Sequence, residues 1–237
     1  MNTFYILMME YPAAQRKHER TAERILDVAT TLVMEHGLEG LTITKLAKAL
    51  AYTPGALFRY FASKDAILSA LHVRFVTQLS GRIDQALIDT EQHVDKLSPQ
   101  AHAVLRLLTV GRTWIQHTRE QPGPMALVAL SMADPRELLD ADVAAEAIEV
   151  YVALVARLAE LFTAAELCGA CSAGNAAHRA VGLGLSIQGI LQSRKLSRFT
   201  PGLFDADQLA GSISNDLLRA WCHPVPMNEA IAALASL

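Results

Sequence analysis

A chain of 237 residues, of which 51% are hydrophobic, has enough apolar material for one large domain or two modest ones. Its formal net charge of −3 argues against a uniformly basic nucleic-acid-binding protein, and no run approaches the roughly 18 consecutive apolar residues of a membrane span. Three cysteines fit a reducing compartment better than a disulfide scaffold. We therefore expect a cytoplasmic protein with no membrane association.

The N-terminal tail, residues 1–15, is expected to be loose, because Pro12 prevents a helix through its middle. A helix is predicted from about Arg16 to His36, with Gly37 as the first residue after its C-terminus. The cations at the start of this helix are candidates for phosphate contacts, although a solvated helix end explains each one equally well: Arg16, Lys17 and Arg20.

Two short helices joined by a tight turn are predicted between Thr42 and Lys64. Thr42 is the expected N-cap of the first helix, whose apolar stripe has the spacing i, i+3, i+4 and i+7: Ile43, Leu46, Ala47 and Leu50. Thr53 supplies a second N-cap, and Pro54 follows at the first helical position, where its missing N–H costs nothing. This pattern is typical of a helix-turn-helix, whose second helix lies in the DNA major groove.

The second helix carries residues that suit contact with DNA. Gly55 lets the backbone approach a partner closely, and Leu57 and Phe61 are expected to face inward. Large side chains remain for the surface, although two of them, Phe58 and Tyr60, could instead belong to the core: Tyr52, Phe58, Arg59 and Tyr60. Residues 16–64 hold eight Lys and Arg against five Asp and Glu, so positive charge is concentrated on this segment.

The run from Ala22 to Leu71 resembles the N-terminal DNA-binding domain of the TetR family of bacterial transcriptional regulators. The matching features are ERILDVATTLVMEHGLEGLTITKLAKAL, the turn, and TPGALFRYFASKDAIL, whose stretch from Phe58 to Asp65 is the most specific part. One departure lies in the turn, where Ala51 and Tyr52 replace the usual glycine and small apolar residue. Because alanine in a left-handed turn position costs about 1 kcal/mol, we expect a distorted turn and a Tyr52 side chain that reaches DNA.

The resemblance implies a homodimer that binds a palindromic operator in double-stranded DNA and is released by a small-molecule effector. It implies phosphate contacts from one set of residues: Thr42, Thr44, Tyr60 and Lys64. A second set is expected to lie toward base edges, with Arg59 best suited to a guanine: Tyr52, Thr53, Pro54, Ala56 and Arg59. Lys45 and Gly55 complete the expected DNA-binding surface.

Ser63 is predicted to cap a fourth helix that ends near Asp89 and carries one apolar face: Ile67, Leu68, Leu71, Phe75 and Leu79. It joins the expected DNA-binding domain, residues 16–64, to a ligand-binding and dimerisation domain, residues 65–237. In the family that the chain resembles, this helix shifts to change the spacing of the two DNA-reading heads.

The whole chain is predicted to be all-α, because no alternating strand pattern occurs in it. Ser98-Pro99 begins a helix that ends near Glu120, and further helices are expected over residues 125–132, 135–167, 175–195 and 205–221. The centre of the third of these five helices, VYVALVARLAELF, is apolar nearly all round, so we expect it to be buried.

Two late helices are candidates for dimerisation, since the resemblance implies a four-helix bundle made by the last two helices of each chain. The first carries small residues that let another helix approach closely: Ala180, Gly182, Gly184, Ser186 and Gly189. The second carries an apolar stripe: Leu209, Ile213, Leu217 and Trp221. Packing within one chain is the alternative explanation of both patterns.

The effector that the resemblance implies is expected to be largely apolar, in a pocket with a few orienting polar groups. The candidate residues, each also explained by plain core packing, are Trp114, His117, Met125, Met132, Tyr151, Leu154, Phe162 and Gln188.

The pair Cys168 and Cys171 forms a CxxC motif, which we interpret as two reduced thiols in a turn. A thiol sensor, or half of a metal site with His178, is the alternative, and no metal site or cofactor is predicted. Phosphate-binding and catalytic motifs are absent from the sequence, so we expect no enzyme. A helical scaffold without specific DNA binding is the remaining alternative, but it leaves the helix-turn-helix pattern unexplained.

Overall fold

In the computed structural model, residues 13–92, 97–121, 141–200 and 202–235 are described, and within these ranges the regular structure is helical. The all-α prediction is confirmed. The α-helices are α1 (Ala13–Gly40), α2 (Ile43–Ala49), α3 (Pro54–Leu57), α4 (Lys64–Glu91), α5 (Pro99–Glu120), α6 (Ala141–Leu167), α7 (Ala176–Gln192), α8 (Ala206–Trp221) and α9 (Pro224–Leu234), with a 3₁₀ helix at Ser193–Arg198.

The first three helices and the start of α4 enclose an N-terminal core. Its buried members are Ile25, Leu26, Ala29, Leu41, Leu46, Ala47, Leu50, Leu57, Ile67, Leu68 and Leu71. Ser63 begins α4 as predicted, because its Oγ accepts a hydrogen bond from the Ala66 N–H at 3.0 Å. Further along α4, Phe75 already belongs to a second core. One continuous helix therefore connects two separate apolar interiors.

Two glycines shape the end of α1 for different reasons. Gly37 interrupts the helix where its end was predicted, but with a φ of 71° and a ψ of −178° it is not in the αL conformation of a helix C-cap. Helical backbone then resumes as far as Gly40. A β-carbon on Gly40 would collide with the β-carbon of His36, so that position requires glycine for close approach.

Helix α5 is central to the C-terminal part, since it packs against α4, α6, α7, α8 and α9. Ser98 caps it as predicted, and its Trp114 ring packs against α7 at Gly184, where an added β-carbon would lie 3.1 Å from the ring. Gly184 therefore serves packing within the chain. The other α7 glycines, Gly182 and Gly189, have no atom within 4 Å of such a β-carbon.

The prediction that the centre of α6 is buried is wrong. One face lies in the core, with Leu154, Leu158 and Phe162 all at most 2% exposed. On the other face Ile148 is 58% exposed and Val152 is 56% exposed. Composition suggested burial on all sides, but the helices of the described part that pack on α6 are α4, α5 and α7, which cover one side of it.

Sequence analysis also missed α9, since the last helix that it predicts ends near Trp221. Pro224 and Pro226 stand in the first turn of α9, where proline is tolerated because those N–H groups have no intrahelical acceptor. Met227 and Ala230 are fully buried in the C-terminal core.

The expected helix at 125–132, and the start of the one expected at 135, lie outside the described residues. None of the helices in the described ranges is both long and apolar enough to cross a bilayer. The same ranges contain no cluster of three or more side chains that would hold a metal ion.

Candidate nucleic-acid interface and effector site

Both threonine caps of the predicted helix-turn-helix are confirmed. Thr42 Oγ1 accepts a hydrogen bond from the Lys45 N–H at 3.2 Å, and Thr53 Oγ1 accepts one from the Ala56 N–H at 3.3 Å. Pro54 occupies the first turn of α3, which is only four residues long. The local signals of the sequence therefore position both helices of the motif.

The turn between α2 and α3 keeps regular hydrogen bonds although it contains no glycine. The Ala51 N–H donates to the Lys48 carbonyl oxygen at 3.1 Å, and the Tyr52 N–H donates to the Ala47 carbonyl oxygen at 2.8 Å. This is the Schellman arrangement, and Ala51 adopts a φ of 56° at the position that usually holds glycine. The expected distortion of the turn is therefore wrong, and alanine takes the left-handed conformation at a cost of about 1–2 kcal/mol.

The residues that the resemblance assigns to DNA lie at the N-terminus of α2, in the turn, and along and after α3. The exposed ones are Thr42, Thr44, Lys45, Thr53, Pro54, Gly55 and Arg59. The half-buried ones are Tyr52, Ala56, Tyr60 and Lys64. The structure thus brings them to one region of the N-terminal domain, and their contact with DNA stays a prediction.

The residues of α3 and those just after it divide into buried and exposed ones in the expected way. Leu57 is fully buried, and Phe61 is half-buried against the N-terminal core. Phe58 is 51% exposed, so the alternative that it is a core residue is wrong. A β-carbon on Gly55 would meet no atom within 4 Å, so packing inside the chain does not require glycine there. Close approach of a partner stays the predicted reason for Gly55.

Tyr60 connects the motif to α1. Its ring packs against the N-terminal core and stacks on His18, with ring centroids 4.6 Å apart and planes 24° apart. The alternative that Tyr60 belongs to the core is therefore confirmed in part, since the side chain stays half exposed. His18, which positions this ring, was not identified from the sequence.

A basic groove lies between the start of α1 and the turn of the motif. It is lined by Tyr52 together with Arg16, Lys17, Arg20, Thr21 and Arg24. Sequence analysis missed Arg24, although the signal was available: Arg16, Arg20 and Arg24 are spaced four apart and so share one helix face. Tyr52 thus lies beside the candidate phosphate-binding cations of α1.

Arg74 ties the N-terminal domain to α4. Its guanidinium donates to Asp27 at 2.7 Å, to Glu23 at 3.3 Å and to the Thr30 hydroxyl at 3.0 Å, all on α1. The adjacent residue, Phe75, contacts the ring of His117 in the C-terminal domain, with centroids 4.9 Å apart. Neighbouring residues of α4 therefore contact the two domains.

Three of the candidate effector residues lie on α5 and α7, two helices that pack against each other. Trp114, His117 and Gln188 are at most 5% exposed, and none of their side-chain nitrogen and oxygen atoms has a hydrogen-bond partner in the described part of the chain. Leu154 is also buried, and burial raises the pKa of the half-exposed Tyr151.

Phe162 is fully buried in the C-terminal core, and its ring packs edge-on against Trp221, with the ring centroids 5.5 Å apart. Met125 and Met132 are outside the described residues.

The interpretation of Cys168 and Cys171 as a reduced pair is wrong, because a disulfide joins Cys171 to Cys222. The two backbones form an antiparallel bridge at this point, with the His223 N–H donating to the Ala170 carbonyl oxygen at 2.8 Å. Cys168 is a free, half-buried thiol. Because 51 residues separate the bonded cysteines, their proximity has no local signal in the sequence. The thiol-sensing alternative therefore loses the cysteine pair on which it depended.

Residues 25–71 match the family model of the bacterial regulatory proteins of the tetR family. The chain is 29% identical over 72 residues to the HTH-type transcriptional regulator Rv1816 of Mycobacterium tuberculosis, a match that covers 30% of this chain and 31% of the relative. The chain thus spans about a third of the length of the curated relatives that it matches first.

Two solved structures share the fold over most of the chain. The TetR-family regulator PfmR of Thermus thermophilus superposes with a TM-score of 0.61 at 20% identity, covering 83% of this chain and 97% of PfmR. SmeT, the repressor of the Stenotrophomonas maltophilia multidrug efflux pump SmeDEF, superposes with a TM-score of 0.63 at 17% identity, covering 86% of this chain and 92% of SmeT. The N-terminal domain thus matches the bacterial regulatory proteins of the tetR family, and the overall fold resembles that of PfmR and SmeT.

Proposed function

We propose that the chain is a ligand-responsive, cytoplasmic transcriptional repressor that binds a palindromic operator as a homodimer and is released by a small-molecule effector. The observation that carries this proposal is the exposed side of α3, where Thr53, Pro54, Gly55 and Arg59 face outward beside a groove lined with cations. A surface that combines polar side chains with flanking positive charge suits the major groove and its phosphates.

The DNA-binding residues divide into two roles. Arg59 is the best candidate for bidentate hydrogen bonds to a guanine, with Tyr52, Thr53, Pro54, Gly55 and Ala56 beside base edges. Phosphate contacts come from Thr42, Thr44, Lys45, Tyr60 and Lys64, extended by the α1 cations Arg16, Lys17, Arg20 and Arg24. These contacts supply affinity that falls with rising salt, whereas Arg59 supplies sequence preference.

The outward faces of α7 and α8 support a homodimer. Leu185 of α7 is 47% exposed and Leu209 of α8 is 37% exposed, and Gly182 and Gly189 leave open space beside α7. Ile213 and Leu217 continue the α8 stripe and are half-buried. A second copy that covers these faces would bury apolar surface and place two copies of α3 on successive major grooves, about 34–36 Å apart.

The effector site is assigned to the interior around Trp114, His117 and Gln188, with Tyr151 and Leu154 as further candidates. Ligand binding there displaces Phe75 from its contact with His117. Because Arg74 holds α1 from the adjacent position on α4, this displacement changes the orientation of the DNA-binding domain. This regulation requires no chemical step, so we assign the chain no enzymatic activity.

The test is selection of a binding sequence from random DNA, followed by fluorescence anisotropy with the selected duplex. Wild type should bind it in the presence of excess unrelated DNA. Arg59→Ala should weaken binding to the selected duplex by about 1–3 kcal/mol and relax the preference at one base pair of each half-site. Light scattering on the same preparation should give twice the mass of one chain.

Arg198→Ala is the matched control, since it also removes an exposed arginine but lies in the 3₁₀ helix of the C-terminal part. It should leave binding unchanged. Failure to select any sequence, with equal affinity for all DNA, would reject the regulator and favour a helical scaffold. If Arg59→Ala weakens binding to every DNA sequence equally, Arg59 contacts a phosphate instead of a base.

A further inference from the structure

Three buried polar side chains in the C-terminal interior lack the hydrogen bonds that such groups normally make. Trp114 is 3% exposed, His117 is fully buried and Gln188 is 5% exposed. Within the described ranges, no partner is found for Trp114 Nε1, for either ring nitrogen of His117, or for the amide nitrogen and oxygen of Gln188. Buried polar atoms without partners are rare, because each has given up its hydrogen bonds with water. Their concentration in one region indicates a site for a ligand.

The two helices that carry these groups run side by side. Trp114 and His117 are three residues apart and share one face of α5, while Gly184 and Gln188 are four residues apart and share one face of α7. The Trp114 ring contacts α7 at Gly184. Further along, Arg194 of the 3₁₀ helix that follows α7 donates to the carbonyl oxygen of Thr118 on α5 at 3.5 Å. Gln188 lies between these two contacts, and therefore at the level of His117.

Among the described residues, the charged side chains nearest to this group are paired with each other, and His117 itself is neutral. Burial, with a smaller contribution from the nearby positive charge of Arg82, lowers the pKa of His117 from 6.5 to about 4, against an opposing effect of Glu120. Arg82 and Glu120 form an ion pair with each other. Arg194, just beyond the end of α7, is paired with Asp207. At neutral pH the imidazole is uncharged, and the charges around the site are already compensated.

We propose that the effector is an uncharged molecule that hydrogen-bonds to Trp114, His117 and Gln188; this deepens the proposed function and rests on it. The Trp114 N–H requires an acceptor oxygen or nitrogen, whereas the neutral imidazole and the Gln188 amide each offer one donor side and one acceptor side. The rings of Phe75, His117 and Trp114 suit an apolar or aromatic body. An ionised ligand would lose its hydration here without gaining an opposite charge, which strongly disfavours it.

The test uses three probes of similar size and different charge: benzamide, benzoate and benzylammonium. Ligand-observed NMR titration of the full chain at neutral pH gives an affinity for each probe. Benzamide should bind at least about tenfold more tightly than either ion, since an unpaired charge is costly to bury. The preference should be lost in Gln188→Leu and in His117→Phe, which provides a second variant if one of them folds poorly.

A stability measurement separates a ligand site from a structural polar cluster. Gln188→Leu removes orphaned polar atoms at similar volume, so the Tm of the ligand-free protein should rise by about 2–4 °C. Gln192→Leu is the matched control on the same helix, since Gln192 is exposed, and it should change neither the Tm nor the probe affinities. A lower Tm in Gln188→Leu would mean that the amide has structural partners and would overturn the proposal.

The proposal is also overturned if an ion binds as tightly as benzamide, or if benzamide does not bind. Operator binding, measured on the same preparation, separates this failure from failure of the proposed function. A chain that selects DNA but shows no preference for benzamide has a different class of effector. A chain that prefers benzamide but selects no DNA keeps the neutral site and is not a regulator.

Discussion

Two buried histidines show how differently the halves of the molecule are built. His72 lies next to the N-terminal core, and its Nδ1 is 3.1 Å from the Leu68 carbonyl oxygen. His117 lies in the C-terminal interior, where neither ring nitrogen has a partner among the described residues. The N-terminal core is built from apolar side chains, whereas the C-terminal interior also contains Trp114 and Gln188 with unpaired polar atoms.

The difference is consistent with separate roles for the two parts of the molecule. In the proposed function, the N-terminal domain presents α3 rigidly to DNA and is completed by its own contacts, as the caps at Thr42, Thr53 and Ser63 illustrate. The C-terminal part, which is proposed to respond to a small molecule, leaves hydrogen-bonding groups for that molecule to satisfy. Ligand binding then stabilises one conformation relative to another, which is the requirement for a shift between two states.

The largest effect is expected from a cavity in the N-terminal core. Leu57→Ala should lower the free energy of unfolding by about 2–5 kcal/mol, because Leu57 is fully buried. If the two cores are separate units, hydrogen exchange should accelerate in α1 to α3 and stay slow in α5 and α7. Leu203→Ala is the control, since Leu203 is 68% exposed. If hydrogen exchange accelerated equally in both halves, the two cores would unfold together and would not be separate units.

The same contrast explains which parts of the structure were predictable from the sequence. Thr42, Thr53-Pro54, Ser63 and Ser98-Pro99 are local signals, because a cap or a first-turn proline acts on the backbone within a few residues of itself. They determine the starts of four helices whatever those helices pack against. The proposed DNA-binding surface follows from them, since the helix positions determine which side chains of this segment face outward.

Burial and pairing were less predictable because they depend on residues far away in the chain. The apolar surface of α6 does not reveal that Ile148 and Val152 stay exposed, and Cys171 does not reveal that Cys222 lies beside it. Whether the ring nitrogens of His117 find hydrogen-bond partners depends on the side chains that pack around α5. No local sequence pattern encodes that packing. Tertiary packing, rather than helix propensity, decides these features.

Reduction of the disulfide should affect the C-terminal half selectively. Cys171→Ser should lower the free energy of unfolding by about 2–4 kcal/mol, because the bond restricts the unfolded chain across 51 residues. Urea unfolding with and without reductant, followed by hydrogen exchange, measures both the size and the location of the loss. Cys168→Ser, which removes the free thiol, should leave stability nearly unchanged. If reductant changes nothing in wild type, the bond does not contribute to stability.

Because His117 is neutral in the folded chain, stability should depend on pH and should fall as the pH is lowered. Its pKa is about 4 in the folded chain against 6.5 as the ordinary value, so the unfolded chain binds more protons between these pH values. The contribution of His117 to the free energy of unfolding should therefore be fully present above pH 6.5. It should be lost as the pH is lowered toward 4, which reduces the free energy of unfolding by up to about 3 kcal/mol. His117→Phe should remove this part of the pH dependence in urea titrations. Identical slopes in wild type and variant would mean that folding does not lower the pKa of His117.

The smallest effect concerns Ala51, a residue of the described N-terminal part that has a positive φ although it is not glycine. Ala51 adopts a φ of 56°, so Ala51→Gly relieves side-chain strain but also increases the entropy of the unfolded chain. We expect a net gain of about 0.5–1 kcal/mol in urea unfolding. Gly37→Ala, at a φ of 71° and a ψ of −178°, provides the opposite change and should destabilise by about 1–3 kcal/mol, because this backbone conformation is essentially restricted to glycine. Both variants leave the side chains of α3 unchanged, so operator affinity should stay constant while stability moves in opposite directions. If Ala51→Gly instead weakens operator binding, the alanine holds Tyr52 and α3 in the binding geometry, and its conformational cost serves recognition.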